Sequence, residues 1–442
     1  MTVTYGDFLA TKVRRAESLG AEVGAVHRLL HDWQGDIVRE AALAGRFAVW
    51  ADTGLGKTLI QVEWARQVAD QAEALIVAPL AVVNQTIAEA ARLGVEAVYV
   101  RDDAEADTAA WAGRMAVTNY ERVAGIDPDR YRAVVLDESS ILKSADGKTR
   151  SLLIAHFAGV ERRLSCTATP APNEPEELTS QAEFLGVAKR NEMLAGYFIN
   201  ADNGWRLKGH ARGPMYRWMA SWALAIRRPS DLGDFSDDGY VLPGLEIVPE
   251  LIPYDYVPEG QLFAVAGATS LGGVGGRAKV RKATLQARCE RAAELVAAEP
   301  GEAWLMWTGL NDEAKLLADL IPGAVNVHGA LSPEDKAKHL LGFATGEIRH
   351  LITKPKIAAR GLNWQHCARQ AFVGLSDSYE DYYQGIRRSL RYGQTRVVRA
   401  HVVLSELEAE IAENVRRKER EAARHTAEMV AAMRDANERR SA

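Results

Sequence analysis

The sequence has little cysteine and no long apolar run. Its three cysteines, Cys166, Cys289 and Cys367, lie far apart and form no C-x-x-C pair. This pattern favours reduced, buried thiols over disulfides or zinc ligands. No run approaches the ~18 apolar residues of a membrane span, and the N-terminal segment MTVTYGDFLATKVRRAESLG lacks the apolar core of a secretion signal. We therefore expect a cytoplasmic protein.

The chain also lacks an excess of charge of either sign. Its 442 residues carry a formal net charge of -5, with 47% apolar and 26% charged residues. This is the composition of an ordinary globular protein, and the length predicts two to three domains. Because the overall charge does not indicate a nucleic-acid partner, any such partner requires a local basic surface.

Short apolar runs alternate with helical stretches in two parts of the chain. RFAVWAD, ALIVAPL and RAVVLDES are buried-strand patterns in the first part, and AWLMWT, RHLITKP and VVRAHVVLS are their counterparts in the second. Strands that alternate with helices predict α/β lobes with doubly wound, mostly parallel sheets. The expected domains are an N-terminal helical segment (1–45), a first lobe (46–178), a helical insertion and linker (179–283), a second lobe (284–404) and a C-terminal helix (405–442).

A glycine-rich turn connects the first strand to a helix. The segment ADTGLGKT, Ala51 to Thr58, combines this position with a Gly-Lys-Thr ending, which is the context of a phosphate-binding loop. Glycines let backbone N–H groups approach phosphates, Lys57 neutralises them, and the Thr58 hydroxyl ligates Mg²⁺. The residues expected to hold the nucleotide here are Thr53, Gly54, Leu55, Gly56, Lys57 and Thr58. The alternative, a plain glycine turn, does not require the Gly-Lys-Thr ending.

About 80 residues after the glycine-rich turn, an acidic pair directly follows a buried strand. In VVLDESSILKS, the strand ends at Asp137 and Glu138, and ligands bind at this edge of such sheets. We expect Asp137 to hold Mg²⁺ and Glu138 to orient and deprotonate the attacking water. The pair predicts phosphoryl transfer to water, and thus an ATP hydrolase.

From Leu30 to Leu404 the chain resembles the superfamily-two helicases, and among them the Swi/Snf-type DNA translocases. LHDWQ is similar to the adenine-reading segment, which gives that role to Gln34. AVTNYERV is similar to a DNA-contacting segment and includes Asn119, while LSCTATP is similar to the coupling segment. The resemblance implies two RecA-like lobes, and coupling hydroxyls at Thr167 and Thr169.

The resemblance extends to the second lobe. LITKPKIAARGLNWQ is similar to a nucleotide-contacting segment, which implies roles for Gly361 and Asn363. YYQGIRRSLRYGQTRVV is similar to the last helicase motif, which implies coupling by Gln384 and nucleotide contact by Gln394. In that family Arg388 and Arg391 would act as arginine fingers that stabilise the transferring phosphoryl group.

The chain departs from the family after the acidic pair. Ser139 and Ser140 stand where relatives often have Gly-His or Ala-His, and such a histidine commonly links hydrolysis to the coupling segment. The consequence for coupling through Ser140 is therefore open. The compact chain is most similar to small helicases encoded by bacteriophages and prophages, which implies a bacterial host cytoplasm or nucleoid.

A basic, aromatic stretch lies between the lobes. Residues 203–228 contain six Lys and Arg and no Asp or Glu, so we expect Arg206, Lys208 and Arg212 to contact phosphates without reading sequence. We expect Trp218 and Trp222 to pack inside the lobe. The connector cations Arg277, Lys279, Arg281 and Lys282 fit either backbone contact or a solvated linker.

Taken together, these patterns predict a monomeric motor that uses ATP and Mg²⁺ to move on DNA, with duplex DNA favoured. Two other classes stay open. An RNA-directed helicase shares the same ATPase, although the Arg-x-Gly-Gln form of the last motif favours DNA. A nucleotide-switched scaffold with weak hydrolysis would follow if Ser140 uncouples the site, but the intact Lys57, Glu138, Arg388 and Arg391 argue against it.

Overall fold

The computed structural model describes residues 20–143, 147–171, 174–201, 204–253, 280–358, 363–374 and 379–441. The chain divides into two compact units. The first unit comprises Met1–Asp238 and Arg424–Ala442, and the second comprises Gly239–Ala423.

The first unit contains a seven-stranded parallel sheet in the order β3-β4-β2-β5-β6-β1-β9. Its strands are β1 (Arg46–Ala51), β2 (Ala74–Ala78), β3 (Ala97–Tyr99), β4 (Met115–Asn119), β5 (Ala133–Asp137), β6 (Arg162–Cys166) and β9 (Ala223–Ile226). The central strands β2, β4 and β5 are buried along their whole length. This explains why they are continuous apolar runs rather than alternating ones.

Helices cover this sheet, and a small hairpin lies beside it. The helices are α1 (Asp32–Ala44), α2 (Lys57–Val68), α3 (Val83–Arg92), α4 (Asp103–Trp111), α5 (Lys148–His156), α6 (Leu178–Leu185), α7 (Arg190–Tyr197) and α8 (Arg212–Met219). The antiparallel hairpin pairs β7 (Phe198–Ala201) with β8 (Gly204–Leu207).

The second unit contains a six-stranded parallel sheet in the order β10-β15-β14-β11-β13-β12. Its strands are β10 (Leu245–Ile252), β11 (Trp304–Thr308), β12 (Ala324–Val327), β13 (His350–Thr353), β14 (Arg369–Val373) and β15 (Val398–Ser405). Its helices are α9 (Leu285–Ala298), α10 (Asn311–Leu320), α11 (Pro333–Thr345), α12 (Pro355–Ala358) and α13 (Tyr379–Ile386). The last helix, α14 (Ala409–Ser441), begins in this unit and ends in the first.

The predicted fold class is confirmed, since both units are parallel sheets covered by helices. The stretch 179–283 is divided between them, because β9 pairs with β1 in the first sheet and β10 pairs with β15 in the second. As expected, Trp218 and Trp222 are buried, and their rings meet edge to face with centroids 5.4 Å apart.

Among the described residues, none of the helices combines the length and the apolar character that a bilayer crossing requires.

Candidate nucleotide site

The phosphate-binding loop follows β1 and ends where α2 begins, at Lys57. Gly54 and Gly56 have φ angles of 90° and 72°, a region that residues with a Cβ rarely adopt. The Lys57 amine donates hydrogen bonds to the carbonyl oxygens of Ala51 (2.8 Å) and Asp52 (3.2 Å). The loop thus places a cation beside the N-terminus of a helix, which is the arrangement that binds phosphates.

Gln34 lies against this loop. Its side chain is 3% exposed, and its Nε2 donates a hydrogen bond to the Leu55 carbonyl oxygen at 3.0 Å. Its Oε1 accepts the His31 backbone N–H at 2.9 Å, which fixes the amide orientation. A Cβ on Gly56 would lie 2.4 Å from Gln34 Nε2. The residue predicted to read adenine therefore packs directly on the phosphate-binding loop.

Asp137 ends β5 at the carboxyl edge of the same sheet. Gln61 Nε2, on α2, donates a hydrogen bond to its Oδ1 at 2.7 Å, and the Tyr120 hydroxyl donates to its backbone oxygen at 2.5 Å. Burial, and next the charge of Glu138, raise the pKa of Asp137 to about 6, whereas the Gln61 hydrogen bond and the charge of Lys57 lower it. The charge of Lys57 thus acts on Asp137, as expected for groups at the same edge of one sheet.

Glu138 has a backbone conformation unlike that of the other described non-glycine residues. Its φ is 51°, in the left-handed region, and such conformations occur at functional sites where the surrounding structure holds them. Its Oε2 is buried and has no hydrogen-bond partner among the described residues. A buried carboxylate oxygen without a partner fits a role as acceptor for an attacking water.

The residues present also fit Mg²⁺. This ion usually takes one or two protein ligands and completes its shell with water and substrate phosphates. Asp137 offers a buried carboxylate on which the charge of Lys57 acts. Thr58 offers a hydroxyl in the first turn of α2. Both groups are oxygen ligands of that kind. Among the residues that the structure describes, there is no cluster of three or more His, Cys, Asp or Glu that could hold a metal ion.

The first segment predicted to couple hydrolysis to nucleic acid directly follows the acidic pair. Ser139 donates its hydroxyl to Gln181 Oε1 at 3.2 Å, and Gln181 Nε2 donates to the Ser139 carbonyl oxygen at 3.0 Å. Ser140 is buried on the same turn. Ser139 and Gln181 thus connect the acidic segment directly to α6, a pair that the sequence did not indicate.

The predicted coupling threonines follow β6. Thr167 donates its backbone N–H to Val49 on β1 at 3.2 Å, and its hydroxyl oxygen accepts the Thr169 N–H at 3.0 Å. The Thr169 hydroxyl is buried without a hydrogen-bond partner among the described residues. The Thr167 hydroxyl thus holds the turn, and the Thr169 hydroxyl remains available for a ligand or for a side chain that moves towards it.

In the second unit, the residues that resemble the last helicase motif lie in α13 and in the segment that follows it. Arg388 is buried, with its Nε donating to the Gln384 carbonyl oxygen at 3.3 Å and its Nη2 to Gln384 Oε1 at 3.5 Å. Arg391 is partly buried, and burial lowers the pKa of its guanidinium to about 10. Arg391 therefore keeps its charge at neutral pH.

Gln370, on β14, was not predicted but fixes this motif. It accepts a hydrogen bond from Trp307 Nε1 at 2.9 Å and donates to the Ser389 hydroxyl at 2.7 Å. A Cβ on Gly385 would lie 3.2 Å from the Trp307 ring, so a larger residue here would crowd the packing of α13 against this ring. A buried amide and a glycine thus position the segment that carries Arg388.

The other second-unit residues predicted to contact the nucleotide are Gln394, Asn363 and Gly361. Gln394 uses both ends of its amide locally: Nε2 donates to the Ser389 carbonyl oxygen at 3.2 Å, and Oε1 accepts the Thr395 and Arg396 N–H groups at 3.0 and 2.9 Å. Asn363 is exposed. Gly361 lies outside the described residues. The predicted nucleotide contacts of Asn363 and Gln394 stay predictions.

The residues predicted to contact nucleic acid are mostly engaged within their own unit. Arg212 forms an ion pair with Glu428 at 3.0 Å, and Lys208 donates to the carbonyl oxygens of Ala195 and Gly196 at 3.2 and 3.3 Å. Arg206 is exposed. These pairings leave Arg206 as the side chain best placed among the three for phosphate contact.

Asn119 and the connector residue Arg281 are also engaged by contacts within their own units. Asn119 is buried, accepts the Tyr99 hydroxyl at 2.8 Å and contacts Glu121. Arg281 forms an ion pair with the buried Glu408 at 3.4 Å, and Lys282 is exposed. The connector cations Arg277 and Lys279 lie outside the described residues.

The first unit therefore brings the residues predicted to bind nucleotide to the carboxyl edge of one parallel sheet, and the second unit has the same kind of sheet. Residues 289–393 match the family model described as "Helicase conserved C-terminal domain". That match falls within the second unit and supports a helicase of superfamily two, with nucleotide-dependent activity on nucleic acid.

The fold of the chain is also that of a helicase core. A Dbp5 variant of S. cerevisiae bound to RNA and ADP BeF3 superimposes with a TM-score of 0.54 at 11% sequence identity, over 84% of this chain and 83% of that one. At this identity the likeness concerns the fold. Comparison with curated protein sequences finds no significant match.

Proposed function

We propose that the protein is an ATP-dependent translocase that couples ATP hydrolysis to movement on DNA. The observation that carries the proposal is the grouping of Lys57, Asp137 and Glu138 at the carboxyl edge of one parallel sheet. A phosphate-binding loop alone serves many nucleotide-binding proteins. An acidic pair at the same edge of the sheet, with Asp137 buried and Glu138 half-buried, adds the groups that hydrolysis needs.

Each residue has a role that its surroundings support. Lys57 and the amide groups at the start of α2 bind the β- and γ-phosphates, and Thr58 and Asp137 provide oxygen ligands for Mg²⁺. When bound, Mg²⁺ neutralises charge on the phosphates. The Glu138 carboxylate, with its unpaired Oε2, orients the attacking water and accepts its proton.

The second unit supplies cations. We infer that Arg388 and Arg391 act on the transferring phosphoryl group, because their guanidinium groups keep a fixed charge and Gln370 and Gln384 hold the segment that carries them. Movement between a form in which these groups reach the phosphate and one in which they do not would convert hydrolysis into steps along the polymer.

The choice of DNA rests on the sequence of the last motif, RYGQ, which is similar to that of Swi/Snf-type motors. These motors usually track on duplex DNA without separating its strands. RNA is the alternative polymer, and RNA is what the structurally similar Dbp5 variant binds.

ATPase rates measured without polymer and with duplex DNA, single-stranded DNA or RNA distinguish these alternatives. We expect duplex DNA to give the strongest stimulation. Equal rates in all four conditions would contradict the translocase proposal, and stimulation by RNA alone would assign the protein to RNA.

A matched variant separates hydrolysis from binding. Glu138→Gln keeps the shape of the side chain and should retain ATP binding, while turnover falls by about 10²–10⁴-fold because the general base is lost. Retained turnover in this variant would show that another group activates the water.

A further inference from the structure

The segment that precedes α1 contributes little to the apolar core. In the range 20–31 only Leu30 is buried, and the other residues are exposed or half-buried. With so little apolar burial to hold it, the segment depends on hydrogen bonds for a fixed position. We call residues 24–31 the N-terminal strap. The strap leads directly into the first turn of α1, which contains Gln34.

Glu63, on α2, holds the strap at His27. Its Oε1 accepts the His27 backbone N–H at 3.1 Å, although the two residues are 36 positions apart in the chain. The Glu63 side chain is 0% exposed, and Arg66 donates to both of its oxygens, at 3.0 and 2.7 Å. Burial raises the pKa of Glu63, but the hydrogen bonds from Arg66, Gln67 and His27 outweigh it and hold that pKa below its ordinary value. His27 is therefore bound to an ionised carboxylate, and such charge-assisted hydrogen bonds are stronger than neutral ones.

Gln67, one turn further along α2, holds the strap at a second point. Its Oε1 accepts the Gly24 N–H at 3.1 Å, and its Nε2 donates to the Ala25 carbonyl oxygen at 3.0 Å. The side-chain amide thus pairs with the strap backbone as a neighbouring strand would. The same Nε2 donates to Glu63 Oε1 at 2.9 Å. Because residues four apart share one face of a helix, Glu63 and Gln67 together form one attachment, which we call the α2 clamp.

His27 shapes the turn that leads from the clamp to Gln34. Its Nδ1 accepts the Leu29 N–H at 3.2 Å, and its carbonyl oxygen accepts the Leu30 N–H at 3.0 Å. His31 follows directly and donates its N–H to Gln34 Oε1 at 2.9 Å. The α2 clamp therefore holds the turn that supplies the donor for the Gln34 amide.

The orientation of this amide decides which base it can pair with. A glutamine amide pairs with adenine by accepting from the N6 amino group and donating to N7, whereas guanine presents the O6 acceptor in place of the amino group. In Gln34, Oε1 and Nε2 each have an internal partner, which leaves one lone pair and one N–H in fixed directions. If His31 moves away, the amide is free to turn over, and a reversed amide offers no acceptor to the adenine amino group.

We propose that Glu63 and Gln67 are positioning residues for adenine recognition, which hold the N-terminal strap on α2 and, through the strap, the Gln34 amide. Their hydrogen bonds go to the strap backbone, so the attachment does not depend on the strap side chains. Since α2 begins at Lys57, the same helix relates the base-reading segment to the phosphate-binding loop. The inference rests on the proposed function, because it takes ATP as the nucleotide and Gln34 as its adenine reader.

Binding titrations of the full chain with ATP, GTP and inorganic tripolyphosphate test the proposal without requiring hydrolysis. Glu63→Ala and Gln67→Ala should each raise the Kd of ATP about 3- to 10-fold, the effect of losing one or two hydrogen bonds. The Kd of GTP and that of tripolyphosphate, which has no base, should change less than about twofold, because the phosphate-binding loop is unaltered. The preference for ATP over GTP should therefore fall.

Two further variants separate positioning from a loss of stability. Arg66→Ala is the matched control, since Arg66 donates to the same carboxylate and, among the described residues, makes no hydrogen bond to the strap. It should lower the unfolding midpoint while keeping the preference for ATP. Glu63→Gln retains an acceptor oxygen for the His27 N–H and should recover most of the preference that Glu63→Ala loses.

The proposal is overturned if Glu63→Ala and Gln67→Ala keep the preference of the unchanged chain, or if they weaken all three ligands equally. An equal loss of preference in Arg66→Ala also overturns it. Because Glu63 is buried, its alanine variant could fail to fold, and Gln67→Ala then decides, since its partners Gly24 and Ala25 are exposed and can bind water instead.

The same titrations distinguish this inference from the proposed function. If the unchanged chain binds ATP no more tightly than GTP, the inference is overturned whether or not ATP is hydrolysed. The proposed function fails on a different measurement, when no polymer stimulates the ATPase.

Discussion

The Gln61 side chain donates a hydrogen bond to Asp137 at 2.7 Å, and both residues are buried. Gln61 lies one helical turn beyond Lys57 on α2, and therefore on the same face of the helix. The helix that begins at the phosphate-binding loop thus also supports the carboxylate at the end of β5. Loop and acidic pair are fixed to each other by one rigid element.

This contact only partly offsets the burial of Asp137, whose pKa is raised to about 6 from its ordinary value of 3.8. The native state therefore binds a proton more readily than the unfolded chain between these two values. Stability from this group is fully present below pH ~4 and is lost as the pH rises through about 6. Asp137→Asn keeps the acceptor for Gln61 but carries no charge, so we expect it to raise the unfolding midpoint at pH 7–8 by a few degrees.

The pH dependence provides the control for this prediction. Near pH 4 the wild-type carboxyl is already protonated in the native state, and Asp137→Asn should bring little gain there. Unfolding curves without nucleotide or divalent ions at both pH values measure the difference. An equal effect at both would show that the raised pKa does not govern the stability.

Local sequence patterns were sufficient to predict that Lys57 follows a glycine turn at the start of a helix and that Asp137 ends a buried strand, because each position depends on a few neighbouring residues. Gln61 and Gln181 were not predicted, since a buried glutamine on a helix has no local signature and acquires its role only from the strand it meets. A hint existed for Gln61 in its spacing of four residues from Lys57.

The strand β9 and the basic stretch 203–228 likewise depend on contacts that local sequence patterns do not show. ALAI, the sequence of β9, is too short and too close to tryptophans to differ from a helix by periodicity, and its pairing with β1 defines it as a strand. The density of Lys and Arg in 203–228 predicted phosphate contacts, yet Arg212 pairs with Glu428, which is 216 residues away. Composition counts charges but does not show which of them are already paired.

The close contact between Gln34 and Gly56 leads to a second prediction. Gly56→Ala introduces a Cβ 2.4 Å from Gln34 Nε2 at a φ of 72°, so it should strongly weaken ATP binding. Gln34→Ala removes the hydrogen bond to Leu55 and should weaken ATP binding less while reducing the preference for ATP over GTP. Fluorescent-nucleotide titrations of both variants and the double variant provide a double-mutant cycle.

The two changes should be non-additive, because removing the Gln34 side chain relieves the clash although the strain of the positive φ remains. Gly94→Ala is a control with a similar φ of 70° and nothing within 4 Å of the added Cβ. Strict additivity of the Gln34 and Gly56 changes would contradict the contact.

Arg391 allows a test of the second unit's part in hydrolysis. Arg391→Ala should lower kcat on the order of 10³-fold, as loss of an arginine finger does, while KM for ATP changes little because the group acts in the transition state. Arg387→Ala is the control, since the Arg387 guanidinium stacks over the Tyr383 ring at 4.8 Å within its own helix segment. Steady-state kinetics with saturating polymer separate the two variants, and equal losses of kcat would argue against a finger at Arg391.

The C-terminal helix α14 yields the last prediction, because its final part belongs to the core of the first unit. Met429, Val430 and Met433 are buried in the same apolar cluster as Trp218 and Trp222. Met433 is 0% exposed, so Met433→Ala should cost about 2–5 kcal/mol through lost burial and the cavity it leaves. The adjacent Arg434→Ala removes an exposed ion pair with Glu438 and should change the stability little, because solvent screens such pairs. Denaturant unfolding measures both, and similar small losses would show that the end of the helix contributes little to the stability of the first unit.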